Sequence, residues 1–266
     1  MSVIVPLFNH AEYIGNGLQS IADDPYPRIE LIIIDDGSCD NSFDVASQWL
    51  DQHAKRFERT SIRRQENTGI PATFNRLVKQ STGEFIFPLA SDDMVAPGGI
   101  NGLVSWYLDR CTKPTLLFSE LAFMDSRGRP LPASALPGYK RDSIRLQKSR
   151  RRLKFEVVTR WGAPFQMHFY PRSLHRAFGG YDESLHFEDL YFALKAVASG
   201  RAEFAPIVSR RYRLRPGDMV TPGLEDEQFS PVPSRHAVLD DFNLAYRILI
   251  RLMNWRSNWL NRGKNG

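Results

Sequence analysis

Short apolar runs recur along the first half of this 266-residue chain, each followed by a stretch of helical period. SVIVPLF (2–8) precedes a stripe made by Ile14, Leu18 and Ile21. ELIIIDD (30–36), strongly β-branched, precedes Val45, Ala46, Trp49 and Leu50. The weaker, edge-like TSIRRQE (60–66) precedes Phe74, Leu77 and Val78. EFIFPLA (84–90) precedes Ile100, Leu103, Val104, Tyr107 and Leu108, and TLLFSEL (115–121) is a fifth strand candidate. Strands separated by single amphipathic helices form βαβ units, so the pattern predicts an α/β fold with a mostly parallel, twisted sheet flanked by helices.

Ligands of such sheets bind beyond the carboxyl ends of the strands. Here the first strand leads into Pro6–Asn9, the second ends at Asp35–Asp36–Gly37–Ser38, and the fourth ends at Asp92–Asp93. A third acidic pair, Glu188–Asp189, opens a helical stripe of Tyr191, Leu194, Val197 and Ala198. Each pair has an ordinary explanation. D-D-G-S is good turn chemistry, Ser91, Asp92 or Asp93 could cap a helix starting near Pro97, and acids favour helix starts. Convergence of two pairs on one rim is what those explanations leave out. In the functional reading, Asp36 accepts hydrogen bonds from a nucleobase or ribose. Asp92 and Asp93 hold a hard cation whose remaining ligands come from phosphate and water. A carboxylate of the third pair serves as a general base.

Other chemistries lack their signatures. No G-x-G-x-x-G follows the first strand, and Gly15–Asn16–Gly17 lies inside a helical pattern. A Walker loop, a zinc-type histidine spacing and a G-x-S-x-G elbow are also missing. Cys39 and Cys111 stand far apart without a metal spacing, which favours a reducing, cytoplasmic setting. The N-terminus does not read as a cleavable leader, and no stretch approaches a spanning helix. Net charge is +5, concentrated in eight Lys or Arg between Lys140 and Lys154 and five more after Asp241, where no acid occurs. Such charge suits an anionic partner, although a solvated face explains either cluster taken alone. No nucleic-acid motif accompanies it. Residues 125–160 read as a loop or lid with some helix, residues 214–234 as a flexible, Pro-containing segment, and the tail shows a stripe of Leu239, Phe242, Tyr246, Leu249 and Met253.

Taken in order, SVIVPLFNHAEYI, ELIIIDDGSCDNS, ENTGIPATFNRLVKQSTGEFIFPLASDD and GGYDESLHFEDLYFALK resemble glycosyltransferase family 2, inverting enzymes of the GT-A fold. The resemblance runs over about residues 2 to 215. It implies a Rossmann-like GT-A domain at 1–215, a Pro-rich segment at 216–234 and a basic amphipathic helix at 235–266. The roles it implies are specific. Pro6 and Phe8 line the nucleobase pocket, Asp36 binds the base, and Gly69 and Asn75 lie on the nucleotide side. Asp93 is the metal ligand, for Mn²⁺ or Mg²⁺, with Asp92 toward the ribose or sugar. Asp189 is the catalytic base, with Glu188 supporting it. Arg215 stands where relatives often carry histidine and can hold phosphate oxygens directly. The chain departs from the family's L-D-x-D-D at Ala90, and it lacks the processive Q-x-x-R-W signature.

The implied reaction moves a sugar from a nucleotide-sugar, most commonly a UDP-sugar, to a hydroxyl of a glycan or lipid-linked acceptor in bacterial surface polysaccharide synthesis. Arg247, Arg251 and Arg256 with Trp255 and Trp259 would suit an interfacial helix on anionic lipid, placing a cytoplasmic protein at the inner face of the membrane. The alternative is that this helix packs on the catalytic domain or on a second copy in a homo-oligomer. Two rival functions stay open. A sugar nucleotidyltransferase would want a Gly-rich, basic loop after the first strand, where this chain reads PLFNHAEYI. A non-catalytic nucleotide- or glycan-binding module would keep the fold without turnover.

Overall fold

Alternation along β1 (Ser2–Leu7) sends Val3, Val5 and Leu7 to one face of a sheet and Ile4 to the other. In β2 (Glu30–Asp35) Leu31 and Ile33 join the first face, and Ile32 and Ile34 the second. Both faces are therefore buried, as a parallel sheet requires. In the computed structural model, which describes residues 1–135, 139–159, 168–185, 187–215 and 232–262, two apolar cores sandwich this sheet. Helices α1 (Ala11–Ala22), α2 (Ser42–His53) and α4 (Gly99–Arg110) pack on the first face. Helices α3 (Ile70–Gln80) and α8 (Glu188–Ala198) pack on the second.

The main sheet runs β3-β2-β1-β4-β8, with β3 (Arg59–Arg64) at one edge. β1 to β4 (Phe85–Pro88) are mutually parallel, and the short β8 (Tyr170–Pro171) is antiparallel. A second sheet runs β5-β9-β6-β7. Its centre is the parallel pair β6 (Leu116–Met124) and β9 (Ala202–Arg213), flanked by β5 (Met94–Val95) and β7 (Pro130–Leu131). A bridge between Leu117 and Phe169 ties the two sheets together. The predicted α/β architecture and every predicted strand are present.

Three features differ from the sequence reading. β9 was not anticipated, because Pro206 breaks its alternation and its pairing to β6 shifts register around Ser119–Leu121. Its arginines also look superficial, yet Arg210 and Arg213 are buried. The basic stretch, expected as a loop or lid with some helix, is largely helical, as α5 (Tyr139–Leu146) and α6 (Arg150–Thr159), with Leu146, Leu153, Val157 and Val158 in the second core. Arg150 pairs with Glu203 and Arg152 with Glu156, so part of that charge is spent on intramolecular ion pairs. Leu108, placed by period on the buried stripe of α4, is 68% exposed.

Most of the segment expected to be flexible, residues 216–231, lies outside the described residues; α9 (Val232–Ala237) begins directly after it. The tail stripe packs inward: Phe242 and Ile250 are buried in the second core, with Leu239, Tyr246, Leu249 and Met253 against it. α10 (Leu244–Arg262) thus forms a helical C-terminal extension on the α/β body.

Candidate active site

The loops leaving β1 and β2 are laced to each other. Asn9 has φ 51, a left-handed conformation that asparagine tolerates because its short side chain bonds locally. Its N–H donates to Ser38 Oγ at 2.9 Å, and its Oδ1 accepts from the Cys39 N–H at 2.8 Å. The His10 N–H donates to Ser42 Oγ at 2.8 Å. Pro6 is half-buried and Phe8 is 43% exposed at this end of β1.

Asp36 is buried and clasps the turn before α3. Its Oδ1 accepts from the Thr68 N–H at 2.9 Å and from Gln65 Nε2 at 2.7 Å; Oδ2 accepts from the Gly69 N–H at 3.1 Å. Gly69 sits at φ 86, a conformation suited to glycine. The lightly used Oδ2 keeps capacity for a further N–H or O–H donor. Asn75 is committed elsewhere. Its amide donates to the Tyr181 carbonyl and Glu183 Oε1, each at 2.9 Å, and accepts from the Tyr181 N–H at 2.9 Å, with His175 Nε2 at 3.1 Å. It braces the loop that leads toward α8, so any contact with a nucleotide would require giving up one of these bonds.

Neither Asp92 nor Asp93 caps the following helix. β5 intervenes, the N-cap position of α4 is Gly98, and the first N–H groups of α4 donate to Asp24, from Ile100 at 3.0 Å and Asn101 at 3.2 Å. The ordinary explanation of this pair therefore fails. Asp93 accepts the Arg213 N–H at 2.9 Å on Oδ1, while Oδ2 is buried and accepts no hydrogen bond. Burial, and then the neighbouring Asp92 charge, push its pKa up to about 8. Asp92, the neighbouring carboxylate, is also largely buried. Its Oδ2 lies 3.0 Å from Arg215 Nη2 and 4.0 Å from His10 Nε2. Arg215 Nη1 sits 3.0 Å from His10 Nε2, and His10 Nδ1 sits 2.7 Å from Ser91 Oγ. Burial holds the His10 pKa below its ordinary value, which suits a neutral ring accepting from Arg215 and donating to Ser91.

A buried carboxylate oxygen without a partner, beside a second carboxylate, is a donor set that fits a hard divalent cation. Such a cation would also relieve the repulsion between the two aspartates. Arg215 now faces Asp92 with the positive charge.

Sequence reasoning missed the residues that hold this turn. Arg213 is buried, donates from Nε to the Asp92 carbonyl at 2.7 Å and from Nη1 to the carbonyls of Asp125 and Ser126, and lies over the Tyr13 ring. Gly17 packs α1 directly on the turn: a Cβ there would lie 2.9 Å from the Asp93 carbonyl oxygen. Gly17→Val is expected to cost about 1–3 kcal/mol, the usual range for overpacking. Denaturant unfolding checks this. The N-H-x-x-Y spacing that places His10 and Tyr13 one helical turn apart was the available signal.

Glu188 and Asp189 occupy the first turn of α8, whose N-cap position is Phe187. Burial pushes Asp189 up to about 7; burial and the Asp189 charge push Glu188 well above the carboxylate range. The Leu190 N–H donates to Asp189 Oδ1 at 2.7 Å. The buried Arg210 lies close enough to Asp93 for the aspartate charge to favour its protonated form. A separate cleft of about 470 Å³, lined by Thr82, Glu84, Lys113, Arg172 and Arg176, opens at the amino ends of β4 and β6, away from the acidic rim.

A mostly parallel α/β sheet with carboxylates gathered at its carboxyl rim is the architecture of the doubly wound α/β class, whose ligands bind at that rim. The model of glycosyl transferase family 2 matches residues 2–165, and the chain belongs to that family. Over 135 residues it is 30% identical to the poly(ribitol-phosphate) beta-glucosyltransferase of Bacillus spizizenii, spanning 49% of this chain and 20% of that one. Over 104 residues it is 33% identical to glycosyltransferase GlyG of Streptococcus pneumoniae, spanning 39% and 33%. The chain thus spans a third or less of the length of these two relatives. Among solved structures it resembles S. aureus TarS (1–349) in complex with UDP-GlcNAc, with TM-score 0.67, 20% identity and coverage of 94% and 69%. It also resembles the mannosyltransferase PcManGT of Pyrobaculum calidifontis in complex with GDP-Man and Mn²⁺, with TM-score 0.65, 18% identity and coverage of 96% and 71%. These likenesses establish the GT-A fold expected from the sequence.

Proposed function

We propose that the chain is an inverting glycosyltransferase that moves a sugar from a UDP-sugar to a hydroxyl of a glycan or lipid-linked acceptor in bacterial surface polysaccharide synthesis. The observation that carries this reading is the Asp92–Arg215–His10 group next to Asp93, whose Oδ2 is buried and unpartnered, in a chain where burial raises the Asp189 pKa to about 7. The UDP in the TarS structure and the poly(ribitol-phosphate) beta-glucosyltransferase among the relatives support the donor and acceptor classes.

In this reading Pro6, Phe8 and Asp36 receive the nucleobase, with Asp36 Oδ2 accepting from it, and the Gly69 turn lies beside it. Asp92 and Asp93 would hold Mn²⁺ or Mg²⁺, which when bound supplies charge neutralisation to the departing diphosphate. Arg215 shifts from Asp92 to a diphosphate oxygen. Asp189 takes the proton of the acceptor hydroxyl, whose oxygen attacks the anomeric carbon from the face opposite the diphosphate. The bond from that carbon to the diphosphate oxygen breaks with its electron pair leaving on the nucleoside diphosphate, and configuration inverts. Glu188, protonated, keeps a second negative charge away from Asp189.

A donor screen that follows nucleoside diphosphate release, with and without Mn²⁺, tests the proposal. Release from one UDP-sugar is expected, and Asp93→Ala should abolish it. Donor binding without turnover, across a broad acceptor panel, would instead support a non-catalytic nucleotide-binding module.

A further inference from the structure

α10 carries two apolar stripes, and only one belongs to the core. Tyr246, Leu249, Ile250 and Met253 pack inward. Leu244, Ile248, Leu252 and Trp255, spaced by four, four and three residues, lie on the opposite side of the helix and are 72%, 49%, 59% and 68% exposed. A helix that has already buried one stripe gains nothing in water from a second, so the exposed one calls for a partner. The chemistry around it specifies which. From Leu244 to Arg262 the helix has four arginines and no acid, and Arg251 is exposed within the outer face. α6, which α10 touches, adds exposed Phe155 and Arg151; Lys154 Nζ lies 4.8 Å and 4.7 Å from the rings of Phe242 and Tyr246 at the junction. Among the described residues no helix is long and apolar enough to cross a membrane.

We propose that the outer face of α10 lies in the surface of an anionic lipid bilayer, with Leu244, Ile248, Leu252 and Trp255 among the acyl chains and Arg251 at the headgroups. Two independent features on one face carry this inference: apolar exposure and one-signed charge. Charge complementarity selects anionic lipid over a second copy of the chain, because two copies meeting on this face would bring arginines together. The position also has a use. Ser234 Oγ of α9 donates to the Phe187 carbonyl at 3.1 Å, immediately before Glu188 and Asp189. The docking surface is thereby joined to the carboxylates assigned above to acceptor activation, an arrangement suited to a lipid-linked acceptor. That last clause rests on the proposed function; the docking does not.

Co-sedimentation of the full chain with phosphatidylcholine vesicles containing 30% phosphatidylglycerol tests it. Binding is expected, with little on pure phosphatidylcholine and release at 0.5 M salt. Ile248→Glu/Trp255→Glu should weaken binding at least tenfold. Arg251→Glu, a milder surface change, should weaken it roughly fivefold or more, since one basic residue near an anionic surface contributes about that factor. Melting temperatures should stay near wild type for both. No binding to anionic vesicles, or equal binding by wild type and both variants, overturns the proposal. So does a wild-type dimer that Ile248→Glu/Trp255→Glu converts to monomer, which would make this face an interface between copies. Any of these failures would leave nucleoside diphosphate release unaffected, so the two readings fail separately.

Discussion

Asp189→Asn is expected to lower kcat by roughly 10²–10⁴, the range in which a positioned general base contributes. Donor affinity should change little, because the lost group acts on the acceptor hydroxyl. The pH profile gives a sharper test than the rate. A base must be ionised to accept a proton, so wild-type kcat should rise with pH and level off above about 7, where burial has placed the Asp189 pKa. Asparagine cannot titrate, and the residual activity of the variant should lose that limb. Glu188→Gln is the informative control. Glu188 is held protonated by burial and the Asp189 charge, so the neutral amide resembles its working form. Its kcat should fall far less, and the acid limb should remain. Full activity of Asp189→Asn, or a limb that survives in it, would remove the base assignment.

The sequence made the strands and the acidic rim legible for the same physical reason. Fully buried parallel strands must be apolar along their whole length, and their carboxyl ends must turn polar abruptly, as at Asp35–Asp36 and Asp92–Asp93. What stayed hidden was long-range. The cap of α4 comes from Asp24, more than seventy residues away, so no local reading could have shown that Asp92 and Asp93 were released from capping. Arg213 reads as one more surface arginine in RRYRLR, yet its guanidinium is buried because three backbone carbonyls and the Tyr13 ring replace water around it. The inner stripe of the tail was visible because it has helical period. Of the outer stripe only Trp255 was legible, beside its arginines; Leu244, Ile248 and Leu252 were not, since an apolar residue in sequence carries no mark of which side of a helix the core already covers. Asn75 was placed by resemblance on the nucleotide side; its hydrogen bonds run to the Tyr181 loop and show a bracing contact that spacing alone does not reveal.

Arg215→Ala is expected to cost about 10²–10³ in kcat/KM for the donor, the usual effect of losing one preorganised donor to a developing anion. Ala90 makes the arginine weigh more. With alanine where the family often carries a carboxylate, the rim offers one aspartate fewer to bind a cation, and Arg215 is the positive group already facing Asp92 at 3.0 Å. The variant should therefore need more Mn²⁺ for half-maximal rate than wild type does. Arg215→Lys should recover only part of the loss: it restores the charge but not the fork that reaches Asp92 and His10 together. A readout independent of turnover is available at His10. Arg215 lowers the pKa of that ring while Asp92 raises it, so removing the arginine should move the His10 titration to higher pH, observable by NMR without any donor. UDP affinity measured calorimetrically should fall in the same variant. Wild-type UDP affinity in Arg215→Ala, with the His10 titration moved as expected, would show that the guanidinium belongs to the resting fold and not to the leaving group, and would return the stabilisation of the departing diphosphate to the aspartates alone.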